Sequence, residues 1–234
     1  MLLWATRVRQ ADGSWLLRDY PLRGLKLPRE EDVRRPIASH DRFLTLREAM
    51  RRLAGTAPQK RGRERWVCIE LALVLAEATG ARIGAIRGLR WSDITYSPPR
   101  IRWRAEFDKK GRERVVPIPE SLVQELRRFQ AQLGGIGDGW LFPCADGSAP
   151  WPREIFGEQL LVAEQKAGLE HLKGGAWHPF RRKWATERKD LPLVDVKATG
   201  GWRDTNTLLT CYQQTDEESM LRVMNAPSKL RSVG

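Results

Sequence analysis

Tyr212 is the residue of this chain whose chemistry depends most on its surroundings. If basic residues elsewhere in the chain hold a phosphate, the Tyr212 hydroxyl is a nucleophile. Tyr212 also follows Leu208 and Leu209 at helical spacing, so the three side chains would share one face of a helix. That spacing favours a core aromatic residue instead. The choice between the two depends on which cations the fold brings to the tyrosine.

Two short motifs place cations where they could hold an anion. Arg82 stands among small residues in Thr79–Ile83, at the predicted start of a helix, where another chain can approach closely. His178 and Arg181 lie on one face of a second predicted helix, whose first turn contains Pro179. Free N–H groups at such a helix start also favour an anion. A surface arginine and a structurally satisfied histidine are the alternatives.

A β-hairpin with lysines at its tip is predicted between these motifs. Alternating runs at 100–106 and 113–118 are joined by the glycine-containing turn Phe107–Arg112. Lys109 and its neighbour Lys110 lie in this turn. A lysine there either increases solubility or acts as a movable proton donor.

Hydrophobic periodicity predicts that most of the remaining chain is helical. The predicted helices span 45–53, 63–78, 121–133, 153–166 and 193–199, and further helices begin at His178, carry Tyr212 and follow Thr215. The first of them is placed by the capping-box pattern of Thr45 and Glu48. The last has an apolar strip that either folds back in cis or docks on a neighbouring copy. The predicted fold class is α+β, mainly α-helical with a small antiparallel β-sheet.

The charge balance indicates a polyanionic partner. The 234 residues include 41 Lys and Arg against 29 Asp and Glu, a formal net charge of +12. Nucleic acid is the first candidate for such a surplus, and a basic but otherwise ordinary soluble protein is the alternative. Ten tryptophans argue against a disordered chain.

Several classes of site and location are not expected from this sequence. Cys68, Cys144 and Cys211 are far apart and contain no Cys-x-x-Cys pair, so neither a disulfide framework nor a zinc site is predicted. No paired carboxylates are spaced as in a two-metal nuclease, and no metal or cofactor is expected. No apolar run is long enough to span a membrane, and the first residues are not a signal peptide. We therefore expect a cytoplasmic, nucleoid-associated protein.

The order of these motifs resembles the catalytic domain of the tyrosine recombinases, the phage integrase family. The resemblance covers residues 37–225. The matching positions are Thr79-Gly80-Ala81-Arg82-Ile83 for the first arginine box, Lys109 for the hairpin lysine, His178-Pro179-Phe180-Arg181 for the His-x-x-Arg box, Trp202 for the position held by His or Trp, and Tyr212 for the nucleophile. Arg114-Val115-Val116-Pro117 sets the register that favours Lys109 over Lys110.

The resemblance implies a site-specific recombinase or integrase that forms a 3'-phosphotyrosyl link and frees a 5'-hydroxyl. Arg82 and Arg181 can hold the non-bridging phosphate oxygens with charge-assisted hydrogen bonds. Tyr212 needs that positive field to attack near neutral pH, because its reference pKa is about 10. In this scheme His178 accepts or relays the proton, Lys109 protonates the leaving oxygen, and Trp202 packs against or hydrogen-bonds the phosphate.

The resemblance also implies a domain plan and partners. Residues 1–36 are interpreted as a remnant of an N-terminal core-binding domain and a linker, 37–225 as the catalytic domain and 226–234 as a C-terminal tail. The expected partner is double-stranded DNA, bound by four copies of the chain. Backbone contacts to DNA are predicted for Arg87, Arg90, Arg182, Lys183 and Arg188, and a solvated basic face explains these residues equally well.

Two positions depart from the family pattern. Ala85 stands where the family often has an acidic residue, three positions after the first arginine, and the interval from Trp202 to Tyr212 is one residue longer than the commonest pattern. Relaxation of DNA as by a type IB topoisomerase and a DNA-binding remnant without catalysis remain alternatives. A generic RNA-binding protein is disfavoured because the chain lacks the aromatic-rich strand motifs of common RNA modules.

Overall fold

The computed structural model describes residues 2–19, 21–23, 35–108 and 111–226. The chain divides into two compact units, Met1–Val33 and Arg34–Gly234. The first unit contains a short helix, α1 (Leu2–Ala5), and an antiparallel bridge between Arg9 and Trp15. Most of the linker predicted up to Pro36 lies outside the described residues.

The second unit is mainly helical, which confirms the predicted fold class. Its helices are α2 (His40–Thr56), α3 (Lys60–Thr79), α4 (Ile83–Arg87), α5 (Glu120–Leu133), α6 (Arg153–Lys166), α7 (His178–Thr186), α8 (Leu193–Gly200), α9 (Thr205–Cys211) and α10 (Glu217–Asn225). The central helix is α3, against which α2, α5 and α7 pack. Its residues from Cys68 to Ala76 are all buried, so a neighbouring element covers every face of this stretch.

A three-stranded antiparallel sheet interrupts the helices. Its strands are β1 (Ile94–Tyr96), β2 (Pro99–Trp103) and β3 (Arg114–Pro117), in the order β1-β2-β3. The pairing places Ile94 opposite Ile101 and Ile101 opposite Val116, and these three side chains are buried against the helices. The predicted hairpin is therefore present as β2 and β3, and β1 was not predicted.

The predicted start of α2 at Thr45 is wrong. The helix begins at His40, because the Ser39 side chain accepts a hydrogen bond from the Arg42 backbone N–H at 3.0 Å and caps the first turn. The Thr45 hydroxyl instead donates to the Asp41 carbonyl oxygen inside the helix, at 2.8 Å. A Thr-x-x-Glu pattern in mid-helix has the same letters as a capping box.

Buried carboxylates in this unit are paired with arginines. Glu164 lies 2.6 Å from Arg42, and Asp93 lies 2.8 Å from Arg104. The carboxylate of Glu70 is shared by Arg47, Arg51 and Arg128. Pairing of this kind is how a folded chain usually accommodates buried charge.

The C-terminal end of α3 is fitted against α7. Gly80 caps α3 in the left-handed conformation, with φ of +61°. A Cβ at Gly80 would lie 2.6 Å from the ring of Trp184, whose indole N–H donates to the Ala78 carbonyl oxygen at 3.0 Å. The tryptophan ring therefore lies directly against the cap, and a glycine is needed there for space as well as for φ.

Replacing this glycine tests the packing separately from the backbone conformation. Gly134 caps α5 with φ of +65°, and a Cβ there would meet nothing within 4 Å. Both Gly80→Ala and Gly134→Ala should lower the free energy of unfolding, because alanine is strained at positive φ. Gly80→Ala should lower it by about 1–3 kcal/mol more, because the ring of Trp184 must move. Urea unfolding of the two variants measures the difference, and equal losses would contradict the described contact.

Candidate active site

The predicted site residues that the structure describes meet at the loop after α8. Gly201 caps α8 with φ of +70°. A Cβ at Gly200 would lie 1.8 Å from the Trp202 ring, and one at Gly201 would lie 2.5 Å from Nη1 of Arg114. Side chains thus pass directly over this backbone, and only glycine leaves room for them.

Arg181 is almost completely buried beside this loop. Its side chain is 2% exposed, and its Nη1 donates to the carbonyl oxygens of Gly80 and of Gly200, the latter at 2.8 Å. Its guanidinium carbon lies 3.6 Å from the centroid of the Trp202 ring. Burial and the nearby Arg82 lower the pKa of Arg181 to about 9, so the group is still charged at pH 7. Its Nε and Nη2 have no partner of hydrogen-bond geometry among the described residues, and the nearby Tyr212 side chain opposes the lowering of the pKa.

Arg82 approaches the same loop from the start of α4. It is the N-cap residue of that helix, as the sequence predicted, and its carbonyl oxygen accepts from the backbone N–H groups of Ala85 and Ile86. Its Nη1 donates to the Gly201 carbonyl oxygen at 3.3 Å. The two arginines of the predicted boxes therefore bind adjacent carbonyl groups. Within the described part of the chain, neither of them has a carboxylate at ion-pair distance.

His178 begins α7 and faces the tyrosine. Its ring centroid lies 6.2 Å from that of Tyr212. Burial, followed by the charges of Arg182, Arg181 and Arg82, lowers the pKa of His178 to about 4. The imidazole is therefore neutral at pH 7, with one ring nitrogen unprotonated.

Trp202 lies between the arginine and the tyrosine. It stacks on Trp184 at 6.0 Å between ring centroids, and its ring meets that of Tyr212 edge to face at 5.1 Å. The side chain is 4% exposed, and the buried indole Nε1 has no hydrogen-bond partner in the part of the chain that the structure describes. An unpartnered buried N–H is costly, and an anion bound beside it would remove that cost.

Tyr212 follows the last residue of α9 and is half-buried. The Thr186 hydroxyl donates to its carbonyl oxygen at 3.0 Å, and the Arg181 guanidinium carbon lies 5.2 Å from its ring centroid. The interpretation as a core aromatic residue applies in part, and the role of Tyr212 as a nucleophile stays a prediction. The ring packs on a small hydrophobic cluster that includes Leu208, whereas Leu209 is exposed, and the same ring faces the cationic groups.

Arg114 also lies at this loop and was not predicted as a site residue; the sequence indicated only its part in the hairpin register. Its guanidinium lies against Gly201 and pairs with Asp108 at 3.3 Å. Burial first, and then the charge of Arg82, lower the pKa of Arg114. Its place opposite Trp103 follows from the hairpin register. Its contact with Gly201 joins distant parts of the chain, and no local sequence pattern predicts such a contact.

Lys109 lies outside the described residues, so its role as a proton donor stays a prediction. The described residues that flank it are Asp108 and Gly111. Among the described residues, no group of three or more His, Cys, Asp or Glu side chains could hold a metal ion. No helix in the described ranges is both long and apolar enough to cross a bilayer.

Two of the five predicted DNA-backbone contacts are turned inward. Arg182 is 2% exposed and donates to the carbonyl oxygens of Pro36 and Gly174, at 3.0 and 3.1 Å. Lys183 is 5% exposed and pairs with Glu77 and Glu187 at 2.8 and 2.7 Å. In this structure both side chains hold elements of the protein together. Their contact with DNA stays a prediction.

The other three predicted contacts are half-buried arginines lying over aromatic rings. The pairs are Arg87 over Phe107, Arg90 over Trp140 and Arg188 over Trp184, at 5.5, 3.8 and 4.5 Å from the ring centroids. Arg90 also pairs with Asp138 at 2.5 Å. Stacking of this kind leaves part of each guanidinium open to a ligand. Their DNA contacts also stay predictions.

This mainly helical domain with a small antiparallel sheet has the fold of the tyrosine recombinase catalytic domains. A structure of the XerH site-specific recombinase bound to its difH substrate aligns with a TM-score of 0.64 at 17% identity, covering 96% of this chain and 63% of that one. A lambda integrase dimer bound to a COC' core site aligns with a TM-score of 0.61 at 18% identity, covering 85% and 53%.

The chain belongs to the phage integrase family, whose family model matches residues 45–219. A putative tyrosine recombinase XerC of Pseudomonas syringae is 27% identical over 154 residues, which cover 63% of this chain and 32% of that protein. A tyrosine recombinase of Thermosipho africanus is 28% identical over 116 residues, which cover 50% of this chain and 36% of that protein. The matched part thus spans about a third of the length of these relatives.

The low pKa of His178 predicts how acid affects stability. A histidine of pKa about 4 in the folded state and 6.5 in the unfolded state contributes stability above pH 6.5, which is lost as the pH falls toward 4. As the pH falls from 6.5 to 4, we expect the free energy of unfolding to decrease less in His178→Gln than in wild type. The exposed His40 supplies the control, and His40→Gln should leave the loss unchanged. Urea unfolding at a series of pH values measures this dependence. Parallel plots of unfolding free energy against pH for wild type and His178→Gln would contradict the placement of His178.

Proposed function

We propose that this chain is a site-specific DNA recombinase or integrase that cuts and rejoins strands through a 3'-phosphotyrosyl intermediate. The observation that carries the proposal is the pair of guanidinium groups on adjacent carbonyls, those of Arg82 and Arg181, beside Tyr212. Carbonyl oxygens accept hydrogen bonds from Nη1 of each guanidinium without cancelling its charge. A phosphodiester bound there would bring a negative charge to both cations and place its phosphorus near the phenol.

Each group then has a defined part in the proposed reaction. The Tyr212 oxygen forms a bond to phosphorus while the bond from phosphorus to the 5'-oxygen breaks. The phenol proton passes to the unprotonated ring nitrogen of His178, whose low pKa is raised by the negative charge of the bound phosphodiester. Lys109 gives a proton to the departing 5'-oxygen. The negative charge that accumulates on the non-bridging oxygens is stabilised by Arg82 and Arg181.

The free N–H groups of the site support this assignment. Nε and Nη2 of Arg181 and Nε1 of Trp202 are buried, and no described residue accepts from them with hydrogen-bond geometry. Hydrogen bonds from preorganised donors to a developing charge are a large source of rate acceleration, and removal of one such donor costs about 10²–10³ in rate. In the proposed complex these three N–H groups bind the phosphate oxygens.

Double-stranded DNA is the proposed substrate. The formal charge of +12 favours a polyanion. Related structures are those of XerH on difH DNA, of a lambda integrase dimer on a core site and of a lambda integrase tetramer on a Holliday junction. We infer by analogy that copies of this chain act together on DNA, as a tetramer. A phosphotyrosyl link conserves the energy of the broken bond, so a second strand's 5'-hydroxyl can reverse the step.

A covalent trap tests the proposal. The wild-type chain is incubated with a pool of nicked duplexes of randomised sequence, in which the short strand is lost after cleavage and cannot be religated. We expect an SDS-resistant adduct whose nucleotide is carried by the Tyr212 peptide in mass spectrometry. Tyr212→Phe should abolish the adduct, because phenylalanine has no nucleophilic oxygen.

A second tyrosine supplies the matched control. The Tyr96 hydroxyl donates to Gln130 at 2.8 Å and is not part of the site, so Tyr96→Phe should form the adduct at the wild-type rate. DNA binding without any adduct would contradict the proposal and favour a non-catalytic DNA-binding protein. If the chain relaxes a supercoiled plasmid but joins no strands of the duplexes selected from the pool, a topoisomerase-like activity is favoured instead.

A further inference from the structure

A third guanidinium meets the loop that holds the first two. Nη1 and Nη2 of Arg114 would lie 2.5 and 3.0 Å from a Cβ at Gly201, so the group lies against that glycine. The carbonyl oxygen of the same residue accepts the hydrogen bond from Arg82. We propose that Arg114 is a third phosphate-binding residue, which contacts the same phosphate that Arg82 and Arg181 hold.

The position of Arg114 is fixed by its own strand. It is the first residue of β3, paired with Trp103 of β2, and its guanidinium carbon lies 5.2 Å from the Trp103 ring centroid. Asp108, at the other side of the hairpin, accepts a hydrogen bond from Nη1 at 3.3 Å. The aromatic ring and the carboxylate thus orient the guanidinium toward the loop at Gly201.

Among the described residues, the positive charges at the loop outnumber the negative ones. Arg82, Arg114 and Arg181 bring three positive charges to two consecutive residues, and the carboxylate among their described ion-pair partners is that of Asp108. Elsewhere in this unit, buried carboxylates bind arginines directly, as Glu164 binds Arg42. A phosphodiester carries one negative charge, and its pentavalent transition state carries more. The third cation is therefore of most use when the transition state forms.

The inferred role rests on the proposed function but is tested first without DNA. The probe is inorganic phosphate, titrated at low ionic strength into wild type, Arg114→Gln and Arg100→Gln, with tryptophan fluorescence or calorimetry as the readout. Arg100 is exposed on β2, so its variant removes the same charge outside the site. We expect Arg114→Gln to weaken phosphate binding by about tenfold or more, the factor expected when one charge-assisted hydrogen bond is lost. Arg100→Gln should bind as wild type does.

The second arm measures the rate of adduct formation on the nicked duplexes. We expect Arg114→Gln to be slower by about tenfold or more, Arg114→Lys to be intermediate, and added guanidinium ion to restore part of the rate of Arg114→Ala. A purely structural role would lower the unfolding midpoint without rescue by guanidinium ion and without a change in phosphate affinity. That pattern would overturn the inference.

The two arms separate the two proposals. A wild-type chain that binds phosphate through Arg114 and forms no adduct would contradict the proposed function and support the third phosphate contact. A chain that forms the adduct at the same rate with Arg114→Gln would leave the function intact and overturn the inference. Failure of the wild-type chain to bind phosphate would also overturn the inference.

Discussion

The structure of the site depends on how the charge of Arg181 is buried. A guanidinium that leaves water loses several kcal/mol of hydration unless acceptors replace it. Here the acceptors are the carbonyl groups of Gly80 and Gly200, which terminate α3 and α8. The carbonyl end of a helix carries partial negative charge, so two helix ends stabilise the cation. No described carboxylate pairs with this cation, so its positive charge is available to a ligand.

Burial and one positive field then set the state of the neighbouring groups. Burial first, and then the field of the arginines, lower the pKa of His178 to about 4, so the imidazole is neutral at pH 7. The same field gives Tyr212 a cationic environment, which the proposed attack needs. The aromatic pair of Trp184 and Trp202 excludes water from one side of Arg181, so its charge is less screened than on a surface. Packing, protonation and proposed chemistry thus depend on the same few contacts.

Local sequence predicted the parts of the site that lie on one element. The start of α7 at His178, with Pro179 in its first turn, the start of α4 after Arg82 and the bounds of α6 were all predicted from local sequence. Contacts between distant segments were not predictable in this way. The bond from Arg82 to Gly201 joins residues 119 positions apart, and the approach of Arg114 to the same glycine has no periodic pattern. The start of α2 was missed because Ser39 and Thr45 offer competing caps, and only the structure decides between them.

The most direct test of the central claim is a crystal structure of the chain soaked with tungstate, whose anomalous scattering locates the anion. The account predicts one tungstate at the Gly200–Gly201 loop, within hydrogen-bonding distance of Arg82 and Arg181 and next to the Tyr212 hydroxyl. An anion bound only at other basic surfaces, with this loop left unoccupied at saturating tungstate, would contradict it. So would Arg181 paired with a carboxylate in place of its two carbonyl groups.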